Sequence, residues 1–478
     1  MNEELEPARR LTLSDPAGRW VLAATILGSG MALLDTTTVT VALPAIGRAL
    51  GGHFSTLQWV LEAYLVTLAG LVLLGGAVGE VVGHGRVFLI GTAGFGLTSA
   101  LCGLAGSGTV LVVARLLQGA AASLLVPGSL AIVSTSFSAG ERGRAIGAWS
   151  SASGLATVAG PLLGGFLVDH GGWRWVFLIN IPLAAAALLA AVSHLPAREM
   201  GPRTLREDVD FGGALIATAG LGLVTIGLIE GPRHGLAVGG GAVLLGAVLL
   251  VVFAMVESRR DRPLLPFSLL AIRGFAVANL ATLFVYAALS ATLFLLVLEL
   301  QWAAGYSALA TGAAIFPITL LLLLLSRRMG GMVERMGARR LMALGPLLAA
   351  LGLLLFWRLP GHASYVTEVL PAGLIFGAGL GVTVGPMTTT VLEAVPSPRA
   401  GIASGVNNAV TRVAGLLGIA AVPLLAGLGG SADDGANFSS GFHQALLVAA
   451  LLCVIATLVA LVGLRRGAYP VESGAAPE

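Results

Sequence analysis

Three charged side chains stand where the sequence offers them no water. Asp35 interrupts MALLDTTTVTVALP, Glu62 interrupts WVLEAYLVTLAG, and Arg115 lies in VVARLLQG, each inside a long apolar run. A charged group at the centre of a membrane helix costs roughly 2.5–3.5 kcal/mol on insertion scales. It therefore needs a water-filled cavity, a proton or a partner. Burial disfavours the charged form of a carboxyl, which suits reversible protonation. Arginine does not release its own proton, so Arg115 can tune nearby acids or bind an anion. Counted from the run ends, Glu62 lies about five residues in, Arg115 about six, and Asp35 about nine inside Pro44. Two acids and one cation at comparable depth suggest a relay in which protonation of an acid frees the arginine. The plainer reading is a structural Asp35 satisfied by Thr36–Thr38 or backbone, with Glu62 a fixed partner of Arg115.

A second group lies near the far end of the chain, where Asn407, Asn408 and Arg412 share the run AGIASGVNNAVTRVAG. These are candidates for lining a substrate cavity. Arg412 can hold an anionic group or pair with Glu299 or Glu393. Glu299 is a further cavity candidate, or a side chain that snorkels to the surface.

The runs that carry these residues define the class of protein. Of 478 residues, 56% are hydrophobic and 11% charged, against about 25% charged in soluble domains. Fourteen apolar segments, the first near 19–44 and the last near 443–464, are each long enough to cross ~30 Å of hydrocarbon as a helix. They are continuously apolar rather than alternating, which excludes barrel strands. The expected fold is an all-α polytopic membrane protein.

All 27 basic residues are arginine; there is no lysine. A P-loop ATPase and a pyridoxal-phosphate enzyme both require lysine and are excluded. No catalytic constellation is visible, so no enzyme activity, cofactor or nucleic-acid partner is expected, and an ion gradient must supply energy for uphill work. Cys102 and Cys453 lie in apolar runs without metal-type spacing and read as packing residues. No cleavable signal precedes the first run, so that span is expected to remain. Richness in Ala, Gly, Val and Arg points to a GC-rich bacterium and its cytoplasmic membrane.

Arginine placement gives the topology. With the N-terminus in the cytoplasm, only Arg48, Arg174, Arg233 and Arg358 fall on outer connections, and only Arg115 and Arg412 inside runs; the remaining 21 lie on inner loops and tails. Such a bias predicts cytoplasmic N- and C-termini. Two polar stretches, 194–210 and 257–273, bracket a pair of runs. They divide the chain into a six-helix bundle over 1–193, a linker with two inserted helices over 194–273, and a second six-helix bundle over 274–478.

An internal repeat supports that division. Gly76, Glu80, Gly83, Arg86 and Gly91 match Gly330, Glu334, Gly337, Arg340 and Gly345 at one fixed offset. Arg144 and Val158-Ala159-Gly160 likewise match Arg399 and Val413-Ala414-Gly415. Parallel six-helix repeats are a transporter plan, with the substrate site at their interface near the midplane.

These residues resemble the fourteen-helix drug:proton antiporter family of the major facilitator superfamily. The likeness runs through LDTTTVTVALPAIGRAL, RLLQGAAASLLVPGSLAIV, SGLATVAGPLLGGFLVDHGGWRWVFLINIP, DVDFGGALIATAGLGLVTIGLIEGPRHG and VPSPRAGIASGVNNAVTRVAG, in that order. It implies an essential acid at Asp35 and a protonation-sensing Arg115 in a motif with Gln118 and Gly119. It also implies an antiporter motif at Gly160, Pro161, Gly164 and Gly165, where small residues allow close helix packing or hinging. Loops holding Glu80, Gly83 and Arg86, and Glu334, Arg335, Gly337 and Arg340, correspond to cytoplasmic latches between the halves. The first departs from the family pattern, reading Glu80-Val81-Val82-Gly83-His84-Gly85-Arg86 where several basic residues usually follow an Asp. Many relatives also have an uncharged residue at the position of Glu62.

The resemblance implies a monomeric proton-coupled antiporter that exports small amphipathic drugs or antibiotics by alternating access in the lipid bilayer. A proton symporter for a small solute, or a lipid flippase or scaffold on the same fold, are the competing readings.

Overall fold

A computed structural model describes residues 11–195, 209–260, 263, 265–396, 399–428 and 435–464. Among them, 14 helices are long and apolar enough to cross a membrane. They are α1 (Pro16–Leu50), α2 (Phe54–Val82), α3 (His84–Gly103), α4 (Gly108–Ser136), α5 (Ala139–Gly171), α6 (Trp175–His194) and α7 (Phe211–His234). The others are α8 (Leu236–Glu257), α9 (Arg273–Trp302), α10 (Ala308–Gly331), α11 (Ala338–Phe356), α12 (Leu370–Glu393), α13 (Ala400–Leu425) and α14 (Gly435–Gly463). Arg9, Arg10, Arg198, Arg203, Arg206, Arg262, Arg465 and Arg466, which carry much of the expected inner-side charge, lie outside the described residues.

The helices outrun the apolar segments that announced them. α1 begins at Pro16, whose fixed φ suits a first turn, and ends where Gly51 takes φ +64° and returns its N–H to Gly47. It is longer at both ends than the run near 19–44 because polar residues such as Arg48 continue the helix beyond the apolar stretch. Large apolar side chains on the outside, including Leu97 (67% exposed) and Leu189 (72%), form a surface suited to hydrocarbon.

Helices α1–α6 pack together around α1 and α4, and α9–α14 repeat the arrangement around α9 and α12. α5 lies on α1 as α13 lies on α9. The repeat extends to single residues. Gly83, between α2 and α3, has φ +107°, and its counterpart Gly337, before α11, has φ +80°. Both turns use a backbone region that favours glycine. α7 and α8 pair with each other, and α7 also touches α2 and α13.

One end of the bundle carries Arg48, Arg174, Arg233 and Arg358 and is the arginine-poor end; the opposite end is arginine-rich. The four hydrogen bonds between the halves among the described residues all lie toward the arginine-poor end. Gln58 Nε2 donates to the Ile419 carbonyl at 2.8 Å, and Gln301 Nε2 to the Val41 carbonyl at 2.9 Å. Asp169 accepts from the amides of Ala308 and Leu309. A single apolar core runs through the second half and this end of the first, joining Phe54 to Phe294 and Phe438. At the arginine-rich end the first half has its own core, built on Val21, Phe88, Leu125, Phe137 and Ala191. The two halves are thus joined at one end and separately packed at the other.

Candidate functional site

Asp35 sits midway along α1 with no exposure, and its partners come from other helices. Arg115 of α4 donates to Oδ2 as an ion pair with both side chains fully buried. Gln118, one turn along α4, donates to Oδ1 at 3.0 Å, and Asn180 of α6 donates to the same oxygen at 3.1 Å. Three donors and no acceptor meet the carboxylate, so both of its oxygens act as acceptors here. The threonines expected as possible partners turn elsewhere: Thr36, Thr37 and Thr38 each donate to carbonyls of α1 itself.

The arginine is held as firmly. Its Nε donates to the Val60 carbonyl at 2.9 Å, its Nη1 also donates to Gln118 Oε1 at 2.8 Å, and its guanidinium carbon lies 4.3 Å from the Tyr64 ring centroid. Gln118 Nε2 further donates to Ser99 Oγ at 2.8 Å. Gly119 follows because α4 must approach α2 closely: a Cβ there would meet Tyr64 and Thr67. Arg115 Nη2 is left without a hydrogen-bond partner.

Glu62 does not join this network. Both carboxyl oxygens are buried without a hydrogen-bond partner, and no ion pair ties it to Arg115. It lies one turn from Gln58, which reaches the backbone of α13, so it shares the helix face turned toward the second half. The reading of Glu62 as fixed partner of Arg115 is therefore corrected. Depth along a helix does not fix the direction around it, and Tyr64 rather than Glu62 faces the arginine.

Tyr64 connects the two groups of candidates. One face of its ring carries Arg115, and Arg412 of α13 is near enough for the two to interact electrostatically. Arg412 is partly exposed, and its Nε has no hydrogen-bond partner. The expected pairing with Glu299 or Glu393 is not made. Glu299 accepts from Ser439 Oγ at 2.8 Å at the arginine-poor end, and Glu393 lies at the other end near Glu334. Asn407 is engaged within the second half, donating to Asn279 and Thr282 at 3.1 and 3.2 Å, whereas Asn408 is exposed.

The Gly-Pro-x-x-Gly-Gly segment of α5 lies between α1 and α10. A Cβ at Gly160 would strike Thr37 of α1, and one at Gly164 would stand 2.8 Å from the Thr38 Cα. On the opposite face a Cβ at Gly165 would stand 2.5 Å from the Leu309 Cα of α10, and one at Gly312 of α10 would stand closer still to the Pro161 carbonyl oxygen. The motif thus brings both α1 and the second half against α5. The loop residues at the arginine-rich end, Glu80, Arg86, Glu334, Arg335 and Arg340, make no ion pair among the described residues. That agrees with halves that are packed separately there.

Asn180, Tyr64 and Ser99 were not singled out from the sequence. Asn180 is a neutral amide in the stretch INIP, and Tyr64 stands two residues beyond the more conspicuous Glu62. A polar amide inside an apolar run was the available signal.

Two repeated six-helix bundles with a buried charge cluster define a membrane transporter of the two-bundle kind. The Major Facilitator Superfamily model matches residues 25–419 and again 329–477, and the chain belongs to that superfamily. It is 35% identical over 453 residues to the cephamycin export protein of Amycolatopsis lactamdurans, covering 92% of each chain. It is 36% identical over 421 residues to the puromycin resistance protein of Streptomyces alboniger, covering 85% of this chain and 81% of that one. A multidrug resistance protein of Mycobacterium tuberculosis is 34% identical over 402 residues, covering 84% and 74%. The fold is similar to that of a crystallised peptide transporter, with a TM-score of 0.66 at 17% identity over 94% of this chain and 96% of that one. A bacterial homologue of the lysosomal transporter Spinster gives 0.64 at 17% identity over 94% and 97%.

Proposed function

We propose that the protein exports small amphipathic drugs or antibiotics in exchange for protons, from the cytoplasmic membrane of a bacterium, with its arginine-rich end in the cytoplasm. The buried Asp35–Arg115 pair carries this reading. It is an acid and a base-locked cation sealed in one bundle, where the loss or gain of one proton changes which groups hold each other. The names of the relatives support drugs as cargo.

In the form described, the halves are closed at the arginine-poor end and Asp35 is met only by donors. On this reading the form is one closed to the outside that awaits cargo from the cytoplasm. Cargo then enters between the halves, where Arg412 and Asn408 offer polar contacts beside apolar walls. Rocking of one bundle against the other opens the opposite end, and a proton reaching Asp35 from outside favours the return. The proton gradient supplies the energy, at roughly 2.3 kcal/mol per charge per 100 mV, or about fifty-fold in concentration.

Asp35 is sealed within the first bundle, and Glu62, although it faces the second half, is fully buried, so the partly exposed Arg412 is the charged group offered to cargo. Neutral and anionic compounds are the favoured substrates. Inverted vesicles with an imposed pH gradient test the whole scheme. Drug-evoked proton release by the wild type but not by Asp35→Asn is expected. Equal release by both would move the coupling site away from Asp35, and drug-free behaviour of the wild type across cationic, neutral and anionic compounds would end the antiport reading.

A further inference from the structure

Away from the charge cluster, a crevice of about 550 Å3 runs between α2, α4 and α7, starting at the arginine-poor end. That volume falls within the range of about 300–1,000 Å3 typical of sites that enclose a small molecule. Its mouth holds Glu230 and Arg233 of α7, and its depth is walled by Val66, Val112, Leu116 and Ile226.

The mouth is dipolar. Glu230 accepts from the Trp59 indole N–H at 2.8 Å, and Arg233 Nη1 donates to Ser55 Oγ at 2.8 Å. Glu230 and Arg233 stand three residues apart on one helix, yet neither pairs with the other among the described residues. Glu230 Oε2 also lies 3.7 Å from His234 Nδ1. An arginine has five N–H donors and a carboxylate about four lone-pair sites, so each retains capacity beyond these contacts.

The depth matches one leaflet. On α2 the lining runs from Ser55 to Val66, and on the antiparallel α7 from Arg233 to Gly222. At 1.5 Å per residue each wall is ~16 Å long, close to half of the ~30 Å hydrocarbon core. Charges of both signs at headgroup level above an apolar trough one leaflet deep complement one kind of molecule.

We propose that this crevice binds a zwitterionic glycerophospholipid of the outer leaflet. Its ammonium meets Glu230, its phosphate meets Arg233, and an acyl chain lies along Val66, Leu116 and Ile226. The lipid fastens the inserted hairpin α7–α8 to the first bundle, between the polar staples at the mouth and the close approach of Gly70 to Thr218 deeper in the membrane.

The test uses the full chain purified in detergent, with phosphatidylethanolamine or phosphatidylglycerol of identical acyl chains as probes. Phosphatidylethanolamine should raise the unfolding temperature saturably and leave a one-to-one adduct in native mass spectrometry, and phosphatidylglycerol should do less. The double variant Glu230→Gln/Arg233→Gln should lose the preference between the two. Gly222→Phe fills the trough without touching either charge, since a Cβ there stands 3.7 Å from Val66 Cγ1, and should lose the adduct. Equal stabilisation of the wild type by both lipids overturns the proposal, even if neither variant folds. So does an adduct that survives both variants.

Discussion

Asp169 of α5 accepts hydrogen bonds from the backbone amides of Ala308 and Leu309 at 3.2 and 2.9 Å, so a carboxylate of one half caps the first turn of α10 in the other. Those amides have no partner within their own helix, and a negative charge there also meets the positive end of the helix dipole. The contact belongs to the closed arginine-poor end, and the proposed alternating access requires it to break when that end opens.

Removing this cap should shift the balance of states. A helix cap contributes about 0.5–2 kcal/mol, so Asp169→Ala should lower the population closed at this end by roughly two- to thirty-fold relative to open forms. Spin labels at positions 48 and 358, one in each half, will report it as a gain in long distances. An unchanged distance distribution would mean that Asp169 does not hold the closure.

Arg115 and Asp35 should fail separately and recover together. Removing one partner of a buried ion pair strands the other and typically costs about 3–5 kcal/mol. Arg115→Gln and Asp35→Asn should each lower thermal stability, whereas the double variant should lose less than the two losses combined. Thermal unfolding in detergent gives the comparison, and additive losses would show that the two side chains are not coupled.

Gly165 should be intolerant of a single methyl group. Its Cβ would stand 2.5 Å from the Leu309 Cα, so Gly165→Ala should separate α5 from α10 and abolish export. Gly147, on the same helix, has nothing within 4 Å of an added Cβ, and Gly147→Ala should keep activity and gain about 0.5–1 kcal/mol of helix stability. Drug accumulation assays on the two variants distinguish crowding from a general effect of glycine replacement.

Arg412 should discriminate among cargoes by charge. A hydrogen bond to a charged group contributes about 1.5–3 kcal/mol, so Arg412→Gln should weaken transport of anionic compounds by roughly ten- to a hundred-fold. Neutral compounds should be little affected. Efflux measured for a matched acid and amide of one scaffold tests this, and equal losses for both would place Arg412 in the folding of the site instead.

The spans were legible because an apolar run of the right length has only one way to cross a bilayer. The repeat was legible because Gly83 and Gly337 answer the same backbone demand at the same place in each half. What the sequence carried less well was direction around the helix axis. Asp35 and Arg115 were rightly set at similar depth, but nothing in their spacing says that Tyr64 faces the arginine while Glu62 faces the second half. Asn180 escaped notice because a neutral amide carries no charge to flag it, although it holds the same carboxylate oxygen as Gln118. The pairing of Asn407 with Asn279 and Thr282 joins helices distant in sequence, and only the packed bundle reveals it.

The α7–α8 pair is stitched by glycine. A Cβ at Gly227 would stand 2.5 Å from the Gly239 carbonyl oxygen, one at Gly246 would stand 2.7 Å from that of Gly220, and nearest the connection Gly231 and Gly239 bring their backbones together. Small residues of this kind let membrane helices associate without help from a larger core. During synthesis this hairpin leaves the ribosome after α6 and before α9, with half of the molecule still unmade. Its seam needs nothing from the later helices, so the pair can partition into lipid as a finished unit and wait beside the first bundle while the second is assembled.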